Sequence, residues 1–208
     1  MNWQSTDPRD IRFGKKERRD LLVAWGALGL AFAIFFGGGA VVLQVPFVFL
    51  ELLLISLLTA GIGFLLHEIA HKVVAVKYGQ IAEFRADYSM LVIAIGSALA
   101  GFIFAAPGAV YHRGRITAKQ NAHISIAGPL TNIVLGIAFL PLVFIQFELV
   151  SDIGRYGVLI NFFLAAFNMI PFGPLDGKKV LEWRFSVFLA TFVGSLLLLV
   201  ISVLIFLV

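Results

Sequence analysis

From residue 21 onward the sequence falls into apolar runs of about 20 residues joined by short polar stretches, the length at which a helix crosses a bilayer's hydrocarbon core. Backbone in lipid must satisfy its hydrogen bonds internally, so such runs are helices. Of 208 residues 60% are hydrophobic and 13% charged, which leaves little for a soluble domain. The expected class is an all-α membrane protein: five transmembrane helices with a re-entrant or short β segment between the second and third. Residues 1–20 are expected to form a basic cytoplasmic arm and residues 21–208 a single transmembrane domain. The chain has no cysteine, which excludes disulfides and a thiolate metal site.

Inside the second run stands His67-Glu68-Ile69-Ala70-His71. On a helix, residues four apart share a face one turn apart, so both imidazoles can reach one ion. Histidine and glutamate at membrane depth are costly and mark function. Zn2+ is the expected ion, since catalytic zinc takes three protein ligands and keeps a fourth position for water, whose pKa falls to about 7. Glu68 stands beside the pair without having to bind, the position of a general base. A third ligand must come from elsewhere. Asp176 is the best-placed carboxylate, because it closes an apolar span in the broken stretch Ile170-Pro171-Phe172-Gly173-Pro174-Leu175-Asp176-Gly177. Broken backbone at membrane depth must face protein or a water-filled cavity, and a metal site supplies one. A plain turn aspartate beside Gly177 is the competing reading of this stretch.

Spans are expected at residues 21–43, 46–78, 123–147, 156–176 and 185–208, with Pro46 opening the second and Lys72 and Lys77 marking its cytoplasmic end. The run at residues 90–106 is at the lower limit for a crossing and is interrupted by Gly96 and Gly101. Ala105-Ala106-Pro107-Gly108 is expected to turn the chain, 109–111 to form a short strand, and His112-Arg113-Gly114-Arg115 a solvated turn. Charge decides the path of this segment. If it dips into the membrane and returns, 15 of the 16 Lys and Arg lie on one side, Arg155 being the exception; if it crosses, the split is ten to six. The positive-inside rule selects the re-entrant path and a cytoplasmic amino terminus. Asp176 then ends an inward-running span at about the depth of His67. Orientation accounts for the net charge of +4, so no nucleic-acid partner is expected.

The HEIAH helix, then Ala127-Gly128-Pro129-Leu130-Thr131-Asn132, then Asn168 and the Leu175-Asp176-Gly177 turn, taken together and in this order, resemble the site-2 protease family of intramembrane zinc metalloproteases. The resemblance covers about residues 46–180. It implies a catalytic core over that region, Zn2+ on His67, His71 and Asp176, and Glu68 as the base acting on zinc-activated water. It further implies that Asn168 and Asn132 hold the substrate backbone or the developing oxyanion. By their residue type alone, the two asparagines equally fit buried polar contacts between helices. The implied activity is hydrolysis of peptide bonds in transmembrane segments of membrane-protein substrates, within the lipid bilayer of a plasma membrane expected to be prokaryotic. The chain departs from the common pattern in having no room for a PDZ or nucleotide-sensing domain, and in the long apolar stretch within residues 81–120, where relatives carry a membrane-associated sheet. A strand near 109–111 is placed to pair with an extended substrate. His123, opening a span, is expected at the interface.

Two rival classes remain at this level. A non-proteolytic homologue that binds membrane proteins would not need Glu68. A metal transporter would need further ionisable residues along a path, and the spans offer almost none beyond Glu51.

Overall fold

The structure, a computed structural model, describes residues 11–104 and 107–206. Two residues of the expected turn, Ala105 and Ala106, lie outside them. Among the described residues five helical segments are long and apolar enough to cross a membrane, and a short antiparallel hairpin lies between the second and the third.

The first segment is α1 (Lys15–Phe36), which starts inside the basic arm and ends earlier than the sequence suggested. It starts early because Glu17 and Asp20 are buried, 1% exposed each, on the face that packs inward. It ends early because Gly38 and Gly39 take positive φ, a conformation few other residues adopt, and a 3₁₀ turn (Gly39–Gln44) follows. The second segment, Pro46–Lys77, is α2 (Pro46–Ser56), a π-helical turn (Leu57–Gly61) and α3 (Ile62–Lys77). The π turn disturbs the carbonyl ladder, and the Trp25 indole N–H donates to the Leu57 carbonyl at 3.0 Å. The absence of a side chain at Gly61 makes room for that indole: a Cβ there would come 2.6 Å from Trp25 Cδ1.

Strands β1 (Ile81–Ala86) and β2 (Gly108–Arg113) pair antiparallel, Ile81 opposite Arg113 and Ala86 opposite Gly108. Between them runs α4 (Tyr88–Leu99), capped by the Asp87 carboxylate, which accepts from the Met90 N–H at 3.0 Å. Its 12 residues span about 18 Å, well short of a bilayer core. The ladder pins both ends of the excursion side by side, and the Asp87 N–H donates to the Pro107 carbonyl at 3.0 Å. The segment therefore enters and leaves on the same side. Ala94 and Ala98 of α4 pack on Ala31 and Ile34 of α1.

The third segment is α5 (Ala118–Phe139), opened by a Thr117/Gln120 capping box and extended by a 3₁₀ turn to Phe144. Pro129 inside it removes the hydrogen bond to the Ser125 carbonyl. Next comes α6 (Glu148–Asn168), which starts and ends eight residues before the expected span 156–176 and leaves Asp176 beyond its end. Helix α7 (Asp176–Trp183) and the last segment, α8 (Phe185–Phe206), complete the bundle around Met169, Val180 and Phe188.

Lys72 is not a solvated cation at the end of its span. It is buried, and its Nζ donates to both oxygens of Glu17 at 2.6 Å and to the Arg12 carbonyl at 2.5 Å, with the Phe13 ring 4.1 Å away. Glu17 Oε1 also accepts from the Phe84 N–H at 3.0 Å, so α1, α3 and β1 meet on one ion pair. Removing one partner strands the other charge. Glu17→Ala is expected to destabilise the fold by about 3–5 kcal/mol, read as a lower midpoint of thermal unfolding in detergent. Replacing Glu17 and Lys72 together by apolar residues should recover most of that loss.

Candidate metal centre

Helix α3 presents His67 and His71 one turn apart, with ring centroids 4.6 Å from each other. The chain between α6 and α7 carries Asp176 to them. His67 Nε2 is 3.3 Å and His71 Nε2 3.2 Å from the same Asp176 oxygen, Oδ2. One ligand atom from each of the three lies within 4.8 Å of the others, and all three residues are buried.

The hydrogen bonds behind the rings fix their tautomers. A carbonyl can only accept, so His71 Nδ1 carries the proton it donates to the Ile124 carbonyl at 2.7 Å. His67 Nδ1 donates to Asn132 Oδ1 at 2.6 Å. The orientation of that amide follows from its other end, where Asn132 Nδ2 donates to the Gly63 carbonyl at 3.1 Å and to Asn161 Oδ1 at 2.9 Å. Both Nε2 atoms are thereby left as bare lone pairs. Asp176 Oδ2 faces both of these lone pairs as the third acceptor.

Three acceptors thus converge on one point with no donor between them, an arrangement that a cation relieves. Two further observations fit a metal. Glu68 Oε2 is buried beside the cluster without a hydrogen-bond partner. Gly128 leaves open the space against both rings, where a Cβ would come 2.5 Å from His67 Nε2 and 2.6 Å from His71 Nε2. Gly128→Ala is therefore expected to weaken metal binding by about 10–100-fold while the helices stay folded, as measured by zinc titration beside circular dichroism.

A cavity of about 330 Å³ opens on the cluster. Its wall includes the polar His67, Glu68, His71 and Asp176 and the apolar Leu28, Phe32, Phe64 and Phe163. Lys179, one turn after Asp176, reaches its other oxygen, Oδ1, at 3.8 Å. Asn168 also lines the cavity, and its Nδ2 donates to the Leu164 carbonyl at 3.0 Å.

Two expectations change. Asn132 is fully buried and all its hydrogen bonds run to His67, Gly63 and Asn161, so it stands behind a histidine and not on the cavity wall. His112 is not in a solvated turn: it belongs to β2, is half-buried and lines the cavity. His123 is half-buried, and its Nδ1 is 2.5 Å from the Tyr78 hydroxyl. Sequence reasoning missed Asn161, which receives the Asn132 amide and donates to the Gly157 carbonyl at 2.9 Å. The available signal was a lone amide in an apolar span, whereas Asn132 was singled out by the motif that carries the resemblance.

The fold and the site together define a multi-pass membrane protein with a buried His/His/Asp cluster suited to a metal ion. The chain is 40% identical over 178 residues to "Putative zinc metalloprotease MJ0611" of Methanocaldococcus jannaschii, a match covering 84% of this chain and 87% of that one, and it belongs to that zinc metalloprotease family. It is also 31% identical over 126 residues to "Zinc metalloprotease MJ0392" of the same organism, across 58% of this chain but only 31% of that longer protein. No family model matches the chain. No solved structure is significantly similar to it.

Proposed function

We propose that the protein is an intramembrane zinc metalloprotease of the site-2 protease type, hydrolysing peptide bonds in transmembrane segments of membrane-protein substrates near the cytoplasmic side. The observation that carries this reading is the convergence of three acceptors beside Glu68 Oε2, which has no hydrogen-bond partner among the described residues, in a bundle of five helices long and apolar enough to cross a membrane. Membership in a zinc metalloprotease family supports it. The distribution of lysine and arginine supports a cytoplasmic amino terminus and a cytoplasmic opening of the site.

In this reading His67, His71 and Asp176 hold the ion. Bound there, zinc supplies Lewis acidity and makes coordinated water a nucleophile at neutral pH. Glu68 takes the water's proton and returns it to the leaving nitrogen. Asn132, braced by Asn161, keeps His67 in the tautomer that leaves Nε2 free. Asn168 offers its remaining amide hydrogen to the substrate backbone. Strand β2 has one partner in a two-stranded sheet, and Ala109 and Val110 line the cavity, so its other edge can receive an unwound substrate segment as an added strand. The five-span bundle, with α5 and α6 packed on α3, excludes lipid from the ion.

The test uses the full chain in proteoliposomes with a library of transmembrane peptides. Cleavage that a chelator abolishes and added zinc restores supports the reading. Zinc bound with no peptide cleaved would leave the non-proteolytic homologue in its place, and zinc flux into sealed vesicles would leave a transporter.

A further inference from the structure

The cavity wall opposite the HEIAH helix carries a histidine to which neither the metal cluster nor the base assigns a task. Strand β2 alternates, with Val110 and His112 turned inward and Ala109, Tyr111 and Arg113 exposed. Val110 and His112 both line the cavity that holds His67, His71, Glu68 and Asp176. The ladder fixes that direction, since His112 stands opposite Ala82 and Val110 opposite Phe84, both buried. Among the described residues His112 has no hydrogen-bond partner, whereas Lys179 Nζ lies 3.8 Å from Asp176 and Asn168 gives one of its two amide hydrogens to the Leu164 carbonyl. Burial, and after it the charge of Lys179, lower the basicity of the His112 imidazole, and a neutral ring has one N–H to give.

Hydrolysis of a peptide bond puts negative charge on the carbonyl oxygen, and a donor held in a water-poor cavity stabilises that charge without reorganisation. We propose that His112 is a further catalytic residue, its ring N–H donating to the scissile carbonyl oxygen as the charge develops. A substrate strand lying along β2 would bring its carbonyls past this ring, between β2 and the cluster on α3. His112 itself forms and breaks no covalent bond: the water oxygen adds to the carbonyl carbon, the C–N bond breaks, and Glu68 carries the proton to the leaving nitrogen. The inference rests on the protease reading above.

The test takes the library peptide that the wild-type chain cleaves fastest, together with its phosphinic isostere as a tetrahedral probe. His112→Phe keeps an aromatic ring without a donor, and His112→Gln supplies an amide N–H. Zinc content of one ion per chain in both variants certifies fold and site. The expected result for His112→Phe is a fall in kcat of about 10²–10³-fold with KM little changed. Affinity for the phosphinic probe should fall by a similar factor while affinity for the uncleaved peptide holds, and His112→Gln should restore part of both. Wild-type kcat in His112→Phe would overturn the assignment, as would equal losses of peptide and probe binding, which mark a merely structural role. If the wild type cleaves no peptide, the protease reading itself fails and this inference with it.

Discussion

Glu68→Gln is expected to abolish cleavage and to keep the metal. The two side chains share shape, but the amide cannot take a proton from water, so the substitution removes general-base catalysis and leaves the cavity filled. Positioned proton transfer contributes about 10²–10⁴ in rate, or about 3–5 kcal/mol in the barrier. The structure separates this role from ligation, because the converging cluster is complete without Glu68 and its Oε2 lies buried without a partner. A carboxylate with only a structural task would be tied to a neighbouring N–H or cation, as Glu17 is tied to Lys72 and the Phe84 N–H. The measurement is the cleavage rate of a transmembrane peptide by mass spectrometry with zinc content taken on the same sample. Cleavage at the wild-type rate would remove Glu68 from the mechanism, and loss of zinc would make it a ligand.

The histidine pair was legible because a helix repeats every 3.6 residues and any i, i+4 pair shares a face. The meeting with Asp176, more than a hundred residues away, was expected from span directions and an unbroken span at 156–176; in the structure that span ends at Asn168, and a broken stretch brings Asp176 to the histidines. The positive-inside rule selected the re-entrant path, and the β1/β2 ladder realises it by pinning the two ends of α4 together. Its limits were those of any argument from polarity. Glu17 and Asp20 fell in a basic arm, where charge is ordinarily solvated, and Lys72 was read as marking the cytoplasmic end of its span. Their burial depends on partners brought together only when α1 packs on α3, β1 and α4. Glu17 and Asp20 do lie three apart on one helix face, but nothing local says that the face turns inward. The same holds for His112, whose short strand is stabilised by pairing with residues that α4 separates from it. For Asn132 the sequence left a substrate contact and a buried contact between helices both open, because an amide at that depth suits either, and the packing of α5 on α3 sets it against His67.

Asp176→Ala is expected to empty the site, and its comparison with His67→Ala tests whether distant helices build one centre. His67 and His71 come from a single helix and would share a face in almost any fold. Asp176 reaches them only because the chain breaks between α6 and α7, where Gly173 takes a positive φ and Gly177 packs directly against the Met169 backbone. Its carboxylate then meets both Nε2 atoms through a single oxygen. Removing it leaves two neutral imidazoles and no charge to offset the ion within the cluster. Disturbing an outer-shell partner alone costs 10–100-fold in metal affinity, so loss of a charged ligand should exceed about 100-fold, as should His67→Ala. The readout is zinc retained after dialysis against a chelator, together with the thermal midpoint with and without added zinc. Binding to the native state alone stabilises by about 2.7 kcal/mol at a hundredfold excess over Kd, so the wild type should gain stability on zinc addition and neither variant should. If Asp176→Ala holds zinc as tightly as the wild type, the α6–α7 break serves packing alone. The third ligand would then lie elsewhere on the cavity wall, with Glu68 the nearest carboxylate.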